Sequence, residues 1–398
     1  MRHEVNASAP PLIPDPAAPT LLTGEPPPTA SISGAGIDVL SMPRAVLRQW
    51  LAEQGYPPFR ADQLFRWLHV NQVRQWSSMT DLPIQLRDLL AQTTPLTALT
   101  LSVERTSAVD GSVKLALATR AGNAIETVLM AMESGVTQCL SSQVGCKMAC
   151  DFCATARLPV RANLSAGEIV EQVAIACQRA VAAGQGRGGV AGGNAAMLAG
   201  RPRNLVFMGM GEPLDNLPAV IDALTILCDP KGYGFSPRRI TVSTVGLAKN
   251  IPKLIAVHPN INLAWSLTAT TDAVRDRLMP VNKGVPIARM VDQLRSLPAN
   301  LHRKITFEYA LLRGENDSIA DARNLAQMAI EVGAHINAIP FNAWPGSAYR
   351  RPPRAVINQF VTVVRGCGAS ISLRESKGQD IGAACGQLAG ETAVVAGA

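Results

Sequence analysis

The chain of 398 residues is 47% hydrophobic and 17% charged, which fits one large core with a smaller satellite and excludes a fibrous or wholly disordered protein. No apolar run reaches membrane-spanning length and no signal-peptide core opens the chain, so a cytoplasmic protein with no membrane association is expected. The formal charge of +7 favours a polyanionic partner, and eight cysteines with a tight cluster point to metal or redox chemistry rather than a disulfide framework.

Residues 1–36 hold many prolines (Pro10, Pro11 and Pro26 among them) and no hydrophobic period, which predicts a disordered tail. A small helical unit is expected over 37–97. Ser41 with Pro43 signals a helix start, and Val46, Leu47, Trp50 and Leu51 make its apolar stripe. Phe59–Leu68 repeats the pattern with Phe65, Trp67 and Leu68 as buried positions, and Leu82, Ile84, Leu86, Leu89 and Leu90 form a third set. Arg48, Arg60, Arg66, Arg74 and Arg87 are left for the outside, as a solvated face or a polyanion-binding one. Over 98–138 the period becomes two. Val113, Leu115 and Leu117 alternate with Lys114, Ala116 and Ala118, Asp110-Gly111 suits a turn, and Ala124–Met132 supplies another strand of an antiparallel extension.

The next stretch organises the rest. Cys146, Cys150 and Cys153 form a CxxxCxxC run whose three thiolates can hold three corners of a [4Fe–4S] cube, leaving one iron open to a substrate. This spacing resembles the signature of radical S-adenosylmethionine (SAM) enzymes. A structural zinc with Cys139 as fourth ligand is the alternative.

After the cysteines, Ser165 and Glu168 give a capping-box signal for a helix to about residue 183. Strands are expected at 204–209, 239–244, 261–267, 304–311, 335–341 and 370–375, with helices at 217–227, 247–257, 286–297, 318–332 and 354–366. Such alternation makes residues 139–398 an α/β unit, an incomplete parallel (β/α) barrel with its chemistry at the carboxyl ends of the strands. The Gly/Ala-rich stretch 184–200 follows a helix and lacks the Lys-Ser/Thr pair of a phosphate loop, so it is taken as a surface loop.

Strand ends carry the candidate ligand residues. Gly211 and Glu212 close the first, where glycines allow close approach to a ligand and a carboxylate could accept from an ammonium group; a turn with a capping glutamate is the plainer reading. Ser243, Ser266, Leu267, Thr268 and Asn342 sit at the ends of later strands. Cys385 lies in a small-residue loop that leaves its sulfur accessible, whereas Cys177, Cys228 and Cys367 are read as buried small hydrophobes.

Taken together, Thr137–Cys146, Gly209–Leu214, Ile305–Tyr309, Ile339–Asn342 and Asp380–Leu388 resemble the RlmN/Cfr family of radical-SAM RNA methyltransferases, with similarity from about residue 38 to 390. The resemblance implies a radical-SAM partial barrel with a helical RNA-binding accessory domain, a [4Fe–4S] cluster on Cys146, Cys150 and Cys153, and SAM held by Gly211, Glu212, Ser243, Ser266, Leu267, Thr268 and Asn342. It further implies that Cys385 carries a methyl group, is activated there by a SAM-derived radical, and adds its methylene to carbon 2 of an adenosine in 23S rRNA. Cys139 then releases the product by forming a disulfide with Cys385, with Glu126 as proton acceptor. Implied partners are 23S rRNA, a tRNA adenosine as second substrate and an electron donor, for a monomeric enzyme. Methylation at adenosine carbon 8, a diverged paralogue with another RNA target and a radical-SAM enzyme of small molecules stay open as alternatives. Two departures bear on substrate pose: Thr268 stands where the family has His, and Leu158–Leu164 displaces an arginine.

Overall fold

Three helices open the fold: α1 (Arg44–Glu53), α2 (Phe59–His69) and α3 (Ile84–Thr93). They belong to a computed structural model that describes residues 37–133, 135–159, 161–185, 201–302 and 305–390. The tail expected over 1–36 and residues 186–200 of the expected surface loop lie outside the described residues. Leu47, Trp50, Leu51, Leu64, Phe65 and Leu68 are buried as the apolar stripes require, and Trp67 is half-buried. Ile84 departs from the pattern. It is 63% exposed because it lies on the face of α3 opposite the buried Leu86 and Leu90.

Pro43, not Ser41, occupies the cap position of α1. Ser41 Oγ instead accepts the Gly167 amide at 2.7 Å and so ties this entry to helix α4 (Ala166–Gln185). The expected capping box of α4 forms, with Ser165 Oγ accepting from Glu168 N (3.1 Å) and Glu168 Oε2 accepting from Ser165 N (2.8 Å).

One ten-stranded sheet carries the rest. Strands β1 (Leu99–Thr106), β2 (Val113–Thr119), β3 (Ala124–Met132) and β4 (Gly135–Cys139) pair antiparallel. From β4 the pairing becomes parallel through β7 (Asn204–Phe207), β8 (Ile240–Thr244), β9 (Asn262–Ser266), β10 (Ile305–Leu311), β11 (His335–Pro340) and β12 (Ile371–Leu373). Strands β5 (Gln143–Val144) and β6 (Ala162–Asn163) form a separate pair. β1 and β12 are edges, so the sheet stays open and the barrel incomplete.

Crossover helices return the chain for each parallel step, as that topology demands. They are α5 (Leu217–Cys228), α6 (Ile251–Val257), α7 (Asp272–Leu278), α8 (Ile287–Arg295), α9 (Ala299–His302), α10 (Ile319–Val332) and α11 (Arg354–Gly366). The short helices α7 and α9 have no counterpart in the sequence reading. The alternation in β2 also misleads, since Lys114 and Ala116 at its outward positions are both buried. Lys114 is buried, because the C-terminal segment covers the face that the period assigns to solvent.

Candidate active site

The cysteine loop follows β5 and is held from several sides. The Asp151 amide donates to Leu278 O (2.9 Å), Trp344 Nε1 to Phe152 O (3.0 Å), and Tyr349 OH to Asp151 Oδ2 (2.6 Å). Arg161, in the segment that departs from the family pattern, donates from Nε to Cys146 O at 3.2 Å. Ala149 adopts a left-handed φ of 56°, a conformation that costs an alanine roughly 1–3 kcal/mol and folds the loop back on itself.

Burial raises all three thiols. Cys146 is pushed up to about 12 and Cys150 well above the ordinary range, with repulsion from neighbouring loop cysteines adding to both; Cys153 is raised as well. Left alone, these sulfurs stay protonated, so an electron-poor metal centre is what would turn them into thiolates. Among the described residues no three His, Cys, Asp or Glu side chains converge on a single ion. A cube does not require that, since each thiolate binds a different iron. Three clustered thiols, Cys150 buried and Cys146 and Cys153 half-buried, fit such a group.

The strand ends beside the loop are tightly cross-linked. A Cβ on Gly211 (φ +99°) would lie 2.5 Å from Gln143 Cβ, and one on Gly209 would lie 2.7 Å from Leu140 O. These glycines therefore admit the close packing of the chain's own segment 140–143. Glu212 caps the turn Pro213–Asn216. Its Oε1 accepts the Leu214 amide (3.0 Å) and Oε2 the Val245 amide (2.8 Å), while burial pushes its carboxyl up to about 7. Ser243 and Ser266 meet Oγ to Oγ at 3.2 Å across β8 and β9. Leu267 is fully buried, and Thr268 is buried with a left-handed φ of 57°. Asn342 Nδ2 donates to Cys385 O (3.2 Å), and its buried Oδ1 has no partner.

Two residues that sequence reasoning passed over shape this region. Arg275 on α7 is buried and donates to Leu267 O (2.9 Å), Val245 O (2.7 Å) and Ser266 O (3.2 Å), with Nη1 on Asn282 Oδ1 (2.9 Å). It thereby pins the ends of β8 and β9. A cap signal at Thr270-Thr271-Asp272 was its only trace in the sequence. The other is Arg374, just past β12. It lines a small cavity of about 20 Å³, the room of one water, together with Cys139, Cys385, Met130, Met208 and Leu388. The Cys385 sulfur is the main cause that raises the Arg374 guanidinium, with Glu308 and Cys139 adding to it against the effect of burial.

Cys139 and Cys385, far apart in sequence, thus share one cavity, and both are free thiols. Burial pushes Cys139 up to about 12, and the nearby Cys385 adds to this. Glu126 is buried on β3, paired with Lys114 at 3.3 Å. Of the remaining cysteines, Cys177 and Cys228 are half-buried, and Cys367 is exposed because it caps the end of α11 rather than facing the core. The arginines of the helical unit also differ from a free basic face. Arg48 pairs with Asp62 (2.6 Å), Arg66 with Asp81 (3.2 Å) and Arg74 with Glu171 (2.9 Å), while Arg60 and Arg87 donate to backbone carbonyls.

A crystal structure from Sphaerobacter thermophilus, described as a radical SAM methyltransferase, superposes with a TM-score of 0.80 at 39% identity and covers 89% of this chain and 100% of its own. An open, largely parallel sheet with a three-cysteine loop beside its strand ends is thus the framework of a radical-SAM methyltransferase. Residues 37–96 match the family model of the ribosomal RNA large subunit methyltransferase N-terminal domain. Proteins named dual-specificity RNA methyltransferase RlmN match along nearly the whole chain. The one from Anaeromyxobacter sp. (strain Fw109-5) is 43% identical (89% of this chain, 91% of that protein), and the one from Geotalea uraniireducens is 39% identical (89% and 97%). The chain belongs to the RlmN family.

Proposed function

We propose that this enzyme methylates carbon 2 of an adenosine in 23S rRNA, and an adenosine of tRNA, through a methyl group carried on Cys385. The observation that carries the reading is the shared cavity of Cys139, Cys385 and Arg374, beside the cluster loop. The name borne by the relatives supports an RNA substrate, and the net charge of +7 agrees with a polyanion.

Cys146, Cys150 and Cys153 would hold a [4Fe–4S] cluster, and the strand-end set Gly211, Glu212, Ser243, Ser266, Leu267, Thr268 and Asn342 would hold SAM. When bound, these two supply the transferable methyl and the one-electron chemistry that an adenine carbon, poor in electrons, requires. Asn342 orients the Cys385 loop through its carbonyl. Arg374 offers a positive charge to the sulfurs of Cys385 and Cys139, favouring attack first by the carrier and later by the resolving cysteine. Glu126 is the proton acceptor. Met130, Met208 and Leu388 keep water away from the sulfurs. In this reading residues 37–97 are the RNA-binding accessory domain and 98–138 the β extension, in a monomeric cytoplasmic enzyme supplied by an electron donor. Among the described residues no helix is long and apolar enough to cross a membrane.

The test is a peptide mass on protein purified from cells. Trypsin releases Gly378–Ala398, with Cys385 as its one cysteine. The wild-type peptide is expected one methyl heavier, and the peptide of a Cys146→Ala variant unmodified. An unmodified Cys385 in protein that retains cluster and SAM binding refutes the carrier assignment. Chromatography of the rRNA nucleosides against 2-methyladenosine and 8-methyladenosine standards then separates carbon 2 from carbon 8, which share one mass.

A further inference from the structure

Lys114 on β2 and Glu126 on β3 face each other as a buried pair, their side chains 3% and 0% exposed, with Nζ 3.3 Å from Oε1. Each also reaches the segment that carries Cys385. Lys114 Nζ donates to the Gly382 carbonyl at 3.4 Å, and Glu126 Oε2 accepts the Ala389 amide at 3.0 Å. Gly382 and Ala389 bracket Cys385, so one ion pair grips the carrier loop on both sides.

A buried ion pair is a poor source of net stability, since desolvation consumes most of its attraction. What it can supply is position. The loop itself is built from small residues, with Gly382 and Gly386 at φ of 63° and 80°, and offers few side chains of its own to hold it down. Both carboxylate oxygens of Glu126 meanwhile face donors, an ammonium on one side and an amide on the other. A proton arriving there would neutralise the charge that attracts both donors.

We infer that Lys114 is a positioning residue: it fixes Glu126 and, through that pair, clasps the Cys385 loop shut, so that a proton accepted by Glu126 weakens its hold on the Ala389 amide. The inference rests on the reading of Glu126 as proton acceptor. It adds that the acceptor is also the latch, which couples proton acceptance to loosening of the loop.

Amide hydrogen exchange on the full cluster-bearing chain, without SAM or RNA, tests the clasp. In Lys114→Met the peptide over 382–390 is expected to exchange at least tenfold faster while the β10 peptide 305–311 is unchanged, and Lys114→Arg is expected to restore protection. The same loop-specific gain is expected of K114M/E126Q, which leaves no stranded charge and serves if the single variant does not fold. Unchanged exchange over 382–390, or an equal rise in the β10 peptide, overturns the clasp. A Glu126→Gln enzyme that completes RNA methylation at the wild-type rate refutes instead the proton-acceptor reading and, with it, the coupling of proton acceptance to the loop.

Discussion

Glu212 should give the protein a pH-dependent stability of predictable sign. Its carboxyl is raised from 4.5 to about 7 by burial, so the fold prefers it protonated while the unfolded chain ionises it near the ordinary value. The stability tied to its protonated form is complete below about pH 4.5, is lost as pH rises toward 7, and changes no further above that. A difference of this size corresponds to about 3 kcal/mol between the two plateaus. Urea unfolding of the full chain at intervals from pH 4.5 to 8, compared with a Glu212→Gln variant, isolates the group. The amide cannot ionise, but it sets an NH2 against either the Leu214 or the Val245 amide, so the variant should be weaker at low pH by roughly 1–3 kcal/mol. The gap should then close or reverse toward pH 8. A gap constant across the range would refute the reasoning. Saturating SAM should also flatten the wild-type curve, because a ligand ammonium beside Glu212 would favour its ionised form.

Further outcomes follow from the same geometry. Arg275→Met strands three backbone carbonyls and Asn282 Oδ1; at about 1 kcal/mol each, offset by the relieved burial of a charge, unfolding free energy should fall by roughly 2–4 kcal/mol and SAM affinity with it, measured by denaturation and calorimetry. Gly211→Ala drives a methyl into Gln143 at a left-handed φ, and should cost at least ~1–3 kcal/mol in a denaturant titration and loosen the segment leading to the cluster loop. Cys139→Ser should leave methylation of the Gly378–Ala398 peptide intact but accumulate protein covalently joined to RNA, visible as a retarded band on a denaturing gel. In a Cys146→Ala background, where Cys385 is expected to stay a free thiol, Asn342→Ala should quicken its alkylation by iodoacetamide several-fold, by releasing its carbonyl.

Local chemistry was legible in the sequence wherever it needed only neighbours. The CxxxCxxC loop, the capping box at Ser165 and the βα alternation each depend on a few residues in a row, and the structure returns them with small shifts at the ends. Residues whose role is conferred by distant chain were hidden. Lys114 looked solvent-facing because a two-residue period cannot register a loop arriving from 268 positions away. Arg374 and Arg275 belong to no local motif, and only the fold encloses them. At 209–211 a sequence shows that the backbone needs space without showing that segment 140–143 packs against it. The arginines of the helical unit kept an RNA-binding appearance for the same reason, their acidic partners lying on other turns or elements.

The carrier loop also meets the cluster loop directly, through Ala154 N to Gly386 O (2.8 Å) and Thr155 Oγ1 to Leu388 O (2.7 Å). A ribosome makes Cys153 and Cys385 in that order, at about 5–20 residues per second. The cysteine loop is therefore made roughly ten to fifty seconds of elongation before its last wall exists. In the proposed reading, a cluster inserted before then would be sealed in by the late segment.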